Sequence, residues 1–137
     1  MSHELNGIMI LIHPPLAILG YLFTLLALKK AAQLSFSKGG PDLIKDLGLS
    51  LGIAWWLTFL GLVTGMIWAQ IAWGSFWSWD PKETATLFVF LTLTAAYVLN
   101  LAKKRVSFVF VALLLNVICI LVTISMSLLP IGLHTFG

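Results

Sequence analysis

Four apolar stretches decide what this chain can become. They run over residues 8–28, 49–72, 81–101 and 106–129. Each is close to the roughly 20 residues a helix needs to cross the hydrocarbon core of a bilayer. Hydrophobic residues make up 60% of the 137, and charged residues only 9%. A soluble domain of this size has no interior large enough for so much apolar surface. The expected fold is therefore an all-α membrane protein, a single four-transmembrane-helix bundle over residues 1–137.

The charges orient that bundle. Lys29, Lys30, Lys38 and Lys45 lie between the first and second stretches, and Lys103, Lys104 and Arg105 between the third and fourth. Of the eight basic residues, Lys82 alone remains for the other side. By the positive-inside rule both basic connections are cytoplasmic. The N-terminus, the connection between the second and third stretches, and the C-terminus then face outward. The net charge of +3 is a matter of topology and indicates lipid rather than nucleic acid as the surrounding partner. The N-terminus carries His3 and Glu4 in place of a basic region, so no cleavable signal peptide is expected. The one cysteine, Cys119, sits in an apolar stretch as a small hydrophobic residue. No Cys-x-x-Cys-His is present, so the chain is not itself a c-type cytochrome.

The outward connection is the segment with chemistry in it. Trp73-Gly74-Ser75-Phe76-Trp77-Ser78-Trp79-Asp80-Pro81-Lys82-Glu83-Thr84 places three Trp and one Phe within seven residues, followed by charges. An interfacial aromatic belt is the plain reading. A flat apolar ligand with a polar rim is the other. Trp68 is close enough to line the same pocket, and Gly74, lacking a side chain, lets backbone approach a ligand. Asp80 reads as an N-cap, Pro81 as the first helical residue and Glu83 as the third, close to a capping box. Such an N-terminus, over residues 81–84, also attracts anions, and Lys82 adds a charge-assisted contact.

Three further features need partners. His13 precedes Pro14 and Pro15, and the prolines belong in the first turn of the first helix. A histidine at membrane depth requires a partner, either a backbone carbonyl, a neighbouring helix or a ligand. Gly61-x-x-x-Gly65 is a small-residue face that suits helix packing within the bundle as well as dimerisation. Asn116, in the fourth stretch, is expected to hydrogen-bond another helix. Residues 35–41 read as a flexible turn, and residues 43–47 as a short amphipathic lead into the second helix.

The Trp-Gly-x-Phe-Trp-x-Trp-Asp-Pro-Lys-Glu-Thr run resembles the tryptophan-rich signature of the cytochrome c assembly family (CcsA/ResC, CcmC, CcmF), most closely its CcsA/ResC form. His13-Pro-Pro-Leu-Ala-Ile-Leu-Gly-Tyr21 is similar to that family's histidine-bearing segment two helices earlier. Gly132-Leu133-His134-Thr135-Phe136-Gly137 is similar to its second outer histidine. The resemblance implies b-type haem, bound non-covalently at the outer face of a prokaryotic cytoplasmic membrane. Its axial ligands would be His13 and His134, and Trp68, Trp73, Gly74, Phe76, Trp77, Trp79, Asp80 and Lys82 would surround it. It implies presentation of haem to apocytochrome c, as a component of a cytochrome c haem lyase, with a CcsB/ResB-like or other membrane partner in a homo- or hetero-oligomer. His3 is a third outward histidine, on the N-terminal tail.

The resemblance is incomplete. The family carries a further histidine near the inner end of the third helix, and here that region reads Ala95-Ala96-Tyr97-Val98-Leu99-Asn100. That departure keeps a second reading open, a haem-b electron-transfer subunit of a membrane redox complex. A scaffold without cofactor is a third.

Overall fold

A computed structural model describes residues 3–37 and 39–128. The C-terminal His134, one of the two expected ligands, lies outside the described residues. Four α-helices run in order: α1 His3–Phe36, α2 Pro41–Trp73, α3 Pro81–Leu101 and α4 Val106–Leu128. All four are long and apolar enough to cross a membrane, and no strand occurs among the described residues. Apart from the helix ends and the two prolines of α1, the backbone polar groups of a helix are satisfied by the helix itself, the condition a bilayer imposes.

α3 and α4 keep the lengths expected from their apolar stretches, but α1 and α2 do not. With 34 and 33 residues, each is about 50 Å long at 1.5 Å per residue, well beyond the roughly 30 Å hydrocarbon core. The turn expected at residues 35–41 shrinks accordingly: α1 continues to Phe36, and Gly40 caps α2 with Pro41 as its first residue. The expected amphipathic lead is the first turns of α2 itself, with Leu47 fully buried. Lys30, expected in a loop, lies on α1 and donates from Nζ to the Ser50 hydroxyl at 3.1 Å. α1 also begins earlier, at His3, so Pro14 and Pro15 stand in its interior rather than its first turn. Proline's fixed φ is itself helical, but the two rings remove the N–H groups that the Ile10 and Leu11 carbonyls would have accepted and crowd those carbonyls.

α1 lies along α2 and α3 along α4, and the pairs close through α2–α3 and α1–α4. The bundle is solid at one end and hollow at the other. At the end bearing the basic connections, Ala27, Ala31, Leu51, Ala54, Leu93, Ala96, Val109 and Leu113 form one buried cluster drawn from all four helices. Small residues there bring the backbones close. Trp55 completes this layer, its Nε1 donating to Thr94 Oγ1 at 2.8 Å and its ring stacked on Phe59 at 5.4 Å. Asn116, wholly buried, ties α4 to α3 by donating to the Val89 carbonyl at 2.6 Å and to Thr92 Oγ1 at 2.9 Å. Cys119 is half-buried, less enclosed than expected. Toward the other end the helices separate around a cavity.

Candidate haem-binding cavity

The cavity has a volume of about 730 Å³, within the ordinary range for small-molecule sites of about 300–1,000 Å³. All four helices and the α2–α3 connection line it. α1 contributes His13, Pro14, Ala17 and Tyr21; α2 contributes Gly61, Gly65, Trp68 and Trp73. Phe76 and Trp77 come from the connection, Lys82 and Glu83 from the start of α3, and Ser127 and Leu128 from the end of α4.

His13 is held by α2. Its Nδ1 lies 2.8 Å from the Gly61 carbonyl oxygen and 3.3 Å from Thr64 Oγ1. A carbonyl only accepts, so Nδ1 carries the proton and Nε2 is the lone-pair nitrogen of the neutral ring. A metal-binding histidine is oriented in the same way, by an N–H···O=C bond from its other nitrogen. Trp68 meets the imidazole edge-on, with centroids 5.8 Å apart and planes at 71°. Gly65 is what makes room: a Cβ there would stand only 2.9 Å from His13 Cε1, whereas one on Gly61 would meet the Ala17 backbone nitrogen at an ordinary contact distance of 3.5 Å. The glycine face therefore serves packing between α1 and α2, with Gly65 the position that requires it.

The α2–α3 connection is built by caps at both ends. Gly74 ends α2 in the left-handed region at φ 77°, its N–H donating to the Gln70 carbonyl at 3.0 Å. That conformation, rather than backbone approach to a ligand, is what calls for glycine there. Asp80 caps α3, accepting the Glu83 N–H on Oδ1 at 2.8 Å. The Thr84 N–H donates to the Asp80 carbonyl at 3.0 Å. Two of the N–H groups expected to greet an anion are thus engaged within the cap, and Pro81 has none. What remains for an acidic ligand edge is mainly the Lys82 side chain. Glu83 departs from the capping-box pattern. Its carboxylate accepts from the Ser78 N–H at 2.9 and 3.0 Å and from the Ser78 hydroxyl at 3.0 and 3.1 Å, passing over the N-cap residue's own N–H.

The structure thus gathers His13, Trp68, Trp73, Phe76, Trp77 and Lys82 around one cavity. Gly74, Trp79 and Asp80 stand off its wall; Trp79 is 66% exposed, its ring edge-on to Trp77 at 5.4 Å. The Trp77 indole N–H is buried and has no hydrogen-bond partner among the described residues. A buried donor of this kind on a cavity wall fits a polar edge of a ligand. His3 opens α1 instead of lying in a tail. Three lining groups were not expected at the site from the sequence: Tyr21, Glu83 and the pair Ser127–Leu128, whose place on the wall depends on how α1, α3 and α4 meet. No cluster of three or more metal-ligating side chains occurs among the described residues, and a bis-imidazole haem site requires only two.

Comparison with known proteins agrees with this architecture. A sequence profile of the family described as "Cytochrome C assembly protein" matches residues 1–134. The chain is similar to the cytochrome c biogenesis protein CcsA of Amborella trichopoda, at 37% identity over 90 residues, covering 64% of this chain and 28% of the relative. It is likewise similar to CcsA of Prochlorococcus marinus strain MIT 9303, at 38% over 93 residues with the same coverage. For CcsA of Synechococcus sp. strain CC9605 the identity is 41% over 83 residues, covering 57% of this chain and 26% of the relative. The matched part of the chain therefore covers little more than a quarter of the length of these relatives. No solved structure matches. With the profile reaching from the first residue to the second expected histidine, the chain belongs to the cytochrome c assembly protein family.

Proposed function

We propose that this chain holds haem at the outer face of the membrane, between His13 and His134, and presents it for attachment to apocytochrome c. One observation carries the reading. The His13 imidazole is fixed by the Gly61 carbonyl as the tautomer with a lone pair on Nε2, at the wall of an aromatic-lined cavity of about 730 Å³. Neutral imidazole is an ordinary axial ligand for haem iron, and two of them suit retention or electron transfer. The residues present fit the group: Trp68, Trp73 and Trp77 offer ring faces and exclude water, while Lys82 and the Trp77 N–H suit acidic edges. Cys119 is not among the lining residues, which supports a non-covalent hold. The last described residues of α4, Ser127 and Leu128, stand on the same wall. The basic residues at the opposite end of the bundle support an outward-facing cavity.

In this role the chain's contribution is positioning. Haem, when bound, supplies the iron and the vinyl groups to which cytochrome cysteines are joined. His13 would ligate the iron, the tryptophans would pack against the macrocycle and keep water away, and Lys82 would meet its polar rim. The match leaves nearly three quarters of each relative's length uncovered, so a CcsB/ResB-like or other membrane subunit is the expected partner in a complete lyase.

One observation favours the electron-carrier alternative. Where the family resemblance calls for an inner histidine, Tyr97 packs against Gly52 and Asn100 stands beside Gly48, within the solid end of the bundle. A chain without an inner delivery site is suited to keeping its haem. The deciding experiment loads the detergent-solubilised chain with haem and adds apocytochrome c bearing Cys-x-x-Cys-His. Departure of haem to the apocytochrome supports presentation. Full retention overturns it in favour of the carrier.

A further inference from the structure

One acid–base group that the haem reading does not use is buried and committed. Glu83 is 7% exposed and lies on the cavity wall. In a capping box the third-residue carboxylate returns to the N–H of the N-cap residue, here Asp80. Glu83 instead reaches two residues further back, to Ser78, and takes both its N–H and its hydroxyl at 2.9–3.1 Å. The residue spanned by that reach is Trp79, whose φ is 59°. A left-handed conformation is unfavourable for a residue with a Cβ and persists only where its surroundings enforce it. From the other side, the Ser75 hydroxyl donates to the Trp77 carbonyl at 2.9 Å. Trp77 is thus held between two ties, on the cavity wall, while Trp79 is turned outward.

We propose that Glu83 is a positioning residue: its carboxylate, by gripping Ser78 across Trp79, aims the Trp77 ring into the cavity. The proposal rests on the cavity being the haem site for its consequence, but not for its geometry. Charge makes the grip effective, since hydrogen bonds to an ionised carboxylate are about twice as strong as neutral ones. Glu83→Gln retains size and one acceptor but loses that charge. Ser78→Ala removes only the hydroxyl contact, at an exposed position where folding is not at stake.

The test labels the full chain with 5-fluorotryptophan and records fluorine spectra in detergent without haem. The six tryptophans give six resonances, and that of Trp77 is assigned by its loss in Trp77→Phe. Glu83→Gln should broaden or shift the Trp77 resonance while Trp55, in the solid end, stays unchanged. Ser78→Ala should do the same to a smaller degree. With haem loaded, Glu83→Gln should release it about tenfold faster, equivalent to about 1.4 kcal/mol, with absorption maxima unaltered because the axial ligands are untouched. A Trp77 resonance unmoved in both variants overturns the proposal, as does loss of thermal stability alone. If the wild-type chain takes up no haem, the fluorine result still decides the grip, and only the haem reading fails.

Discussion

The His13 ring occupies the space that a side chain at Gly65 would fill: a Cβ placed there lies 2.9 Å from His13 Cε1 and 3.3 Å from Nδ1. The glycine therefore sets the position of the imidazole as much as the Gly61 carbonyl does. Gly65→Ala should raise intrinsic helix stability, since Ala exceeds Gly by about 1 kcal/mol in a helix interior. The same change should push the imidazole off its carbonyl partner. The expected outcome is a normally folded protein, by circular dichroism, whose haem affinity in an absorbance titration falls at least about tenfold. Retained affinity would show that His13 is not the ligand this geometry describes.

Trp77 and Trp79 are neighbours in a ring contact but differ in surroundings: one lines the cavity with a buried N–H that has no partner among the described residues, and the other is 66% exposed. Trp77→Phe keeps a ring and removes the donor. It should weaken haem binding roughly two- to tenfold, the range of one hydrogen bond of about 0.5–1.5 kcal/mol. Trp79→Phe should leave affinity unchanged. Equal effects of the two substitutions would contradict the assignment of Trp77 to the wall.

Asn116 links α4 to α3 at full burial. Hydrogen bonds between membrane helices contribute about 0.6 kcal/mol on average. Asn116→Ala also leaves a gap in a packed layer. The summed loss should be about 1–2 kcal/mol, read as a lower midpoint in sodium dodecyl sulfate titration. Haem absorption maxima should not move, because Asn116 lines no part of the cavity.

Much of this architecture was legible from residue order, for a physical reason: a bilayer permits few solutions, and about 20 apolar residues in a row leave little choice but a helix. The limits of α3 and α4 coincide with their apolar stretches, and Asp80 and Pro81 announce the start of α3. α1 runs past its apolar stretch because Lys29, Lys30, Ala31 and Ala32 are good helix formers, so a change in polarity there is not a change in conformation. The gathering of His13 with the tryptophans followed from counting spans. The grip of Glu83 on Ser78 did not, because it depends on the left-handed turn at Trp79, a residue type that gives no hint of positive φ. Likewise, Gly61-x-x-x-Gly65 signals close approach of some helix, but only the α1–α2 packing names His13 as what approaches.

The central claim, a bis-histidine haem site at the cavity, is tested most directly by reduced and oxidised absorption spectra of the purified chain beside His13→Ala and His134→Ala. The account predicts sharp low-spin haem-b bands in the wild type that weaken or become high-spin in both variants. Bands unchanged in either variant would contradict the ligand assignment for that histidine, and bands unchanged in both would remove the site altogether.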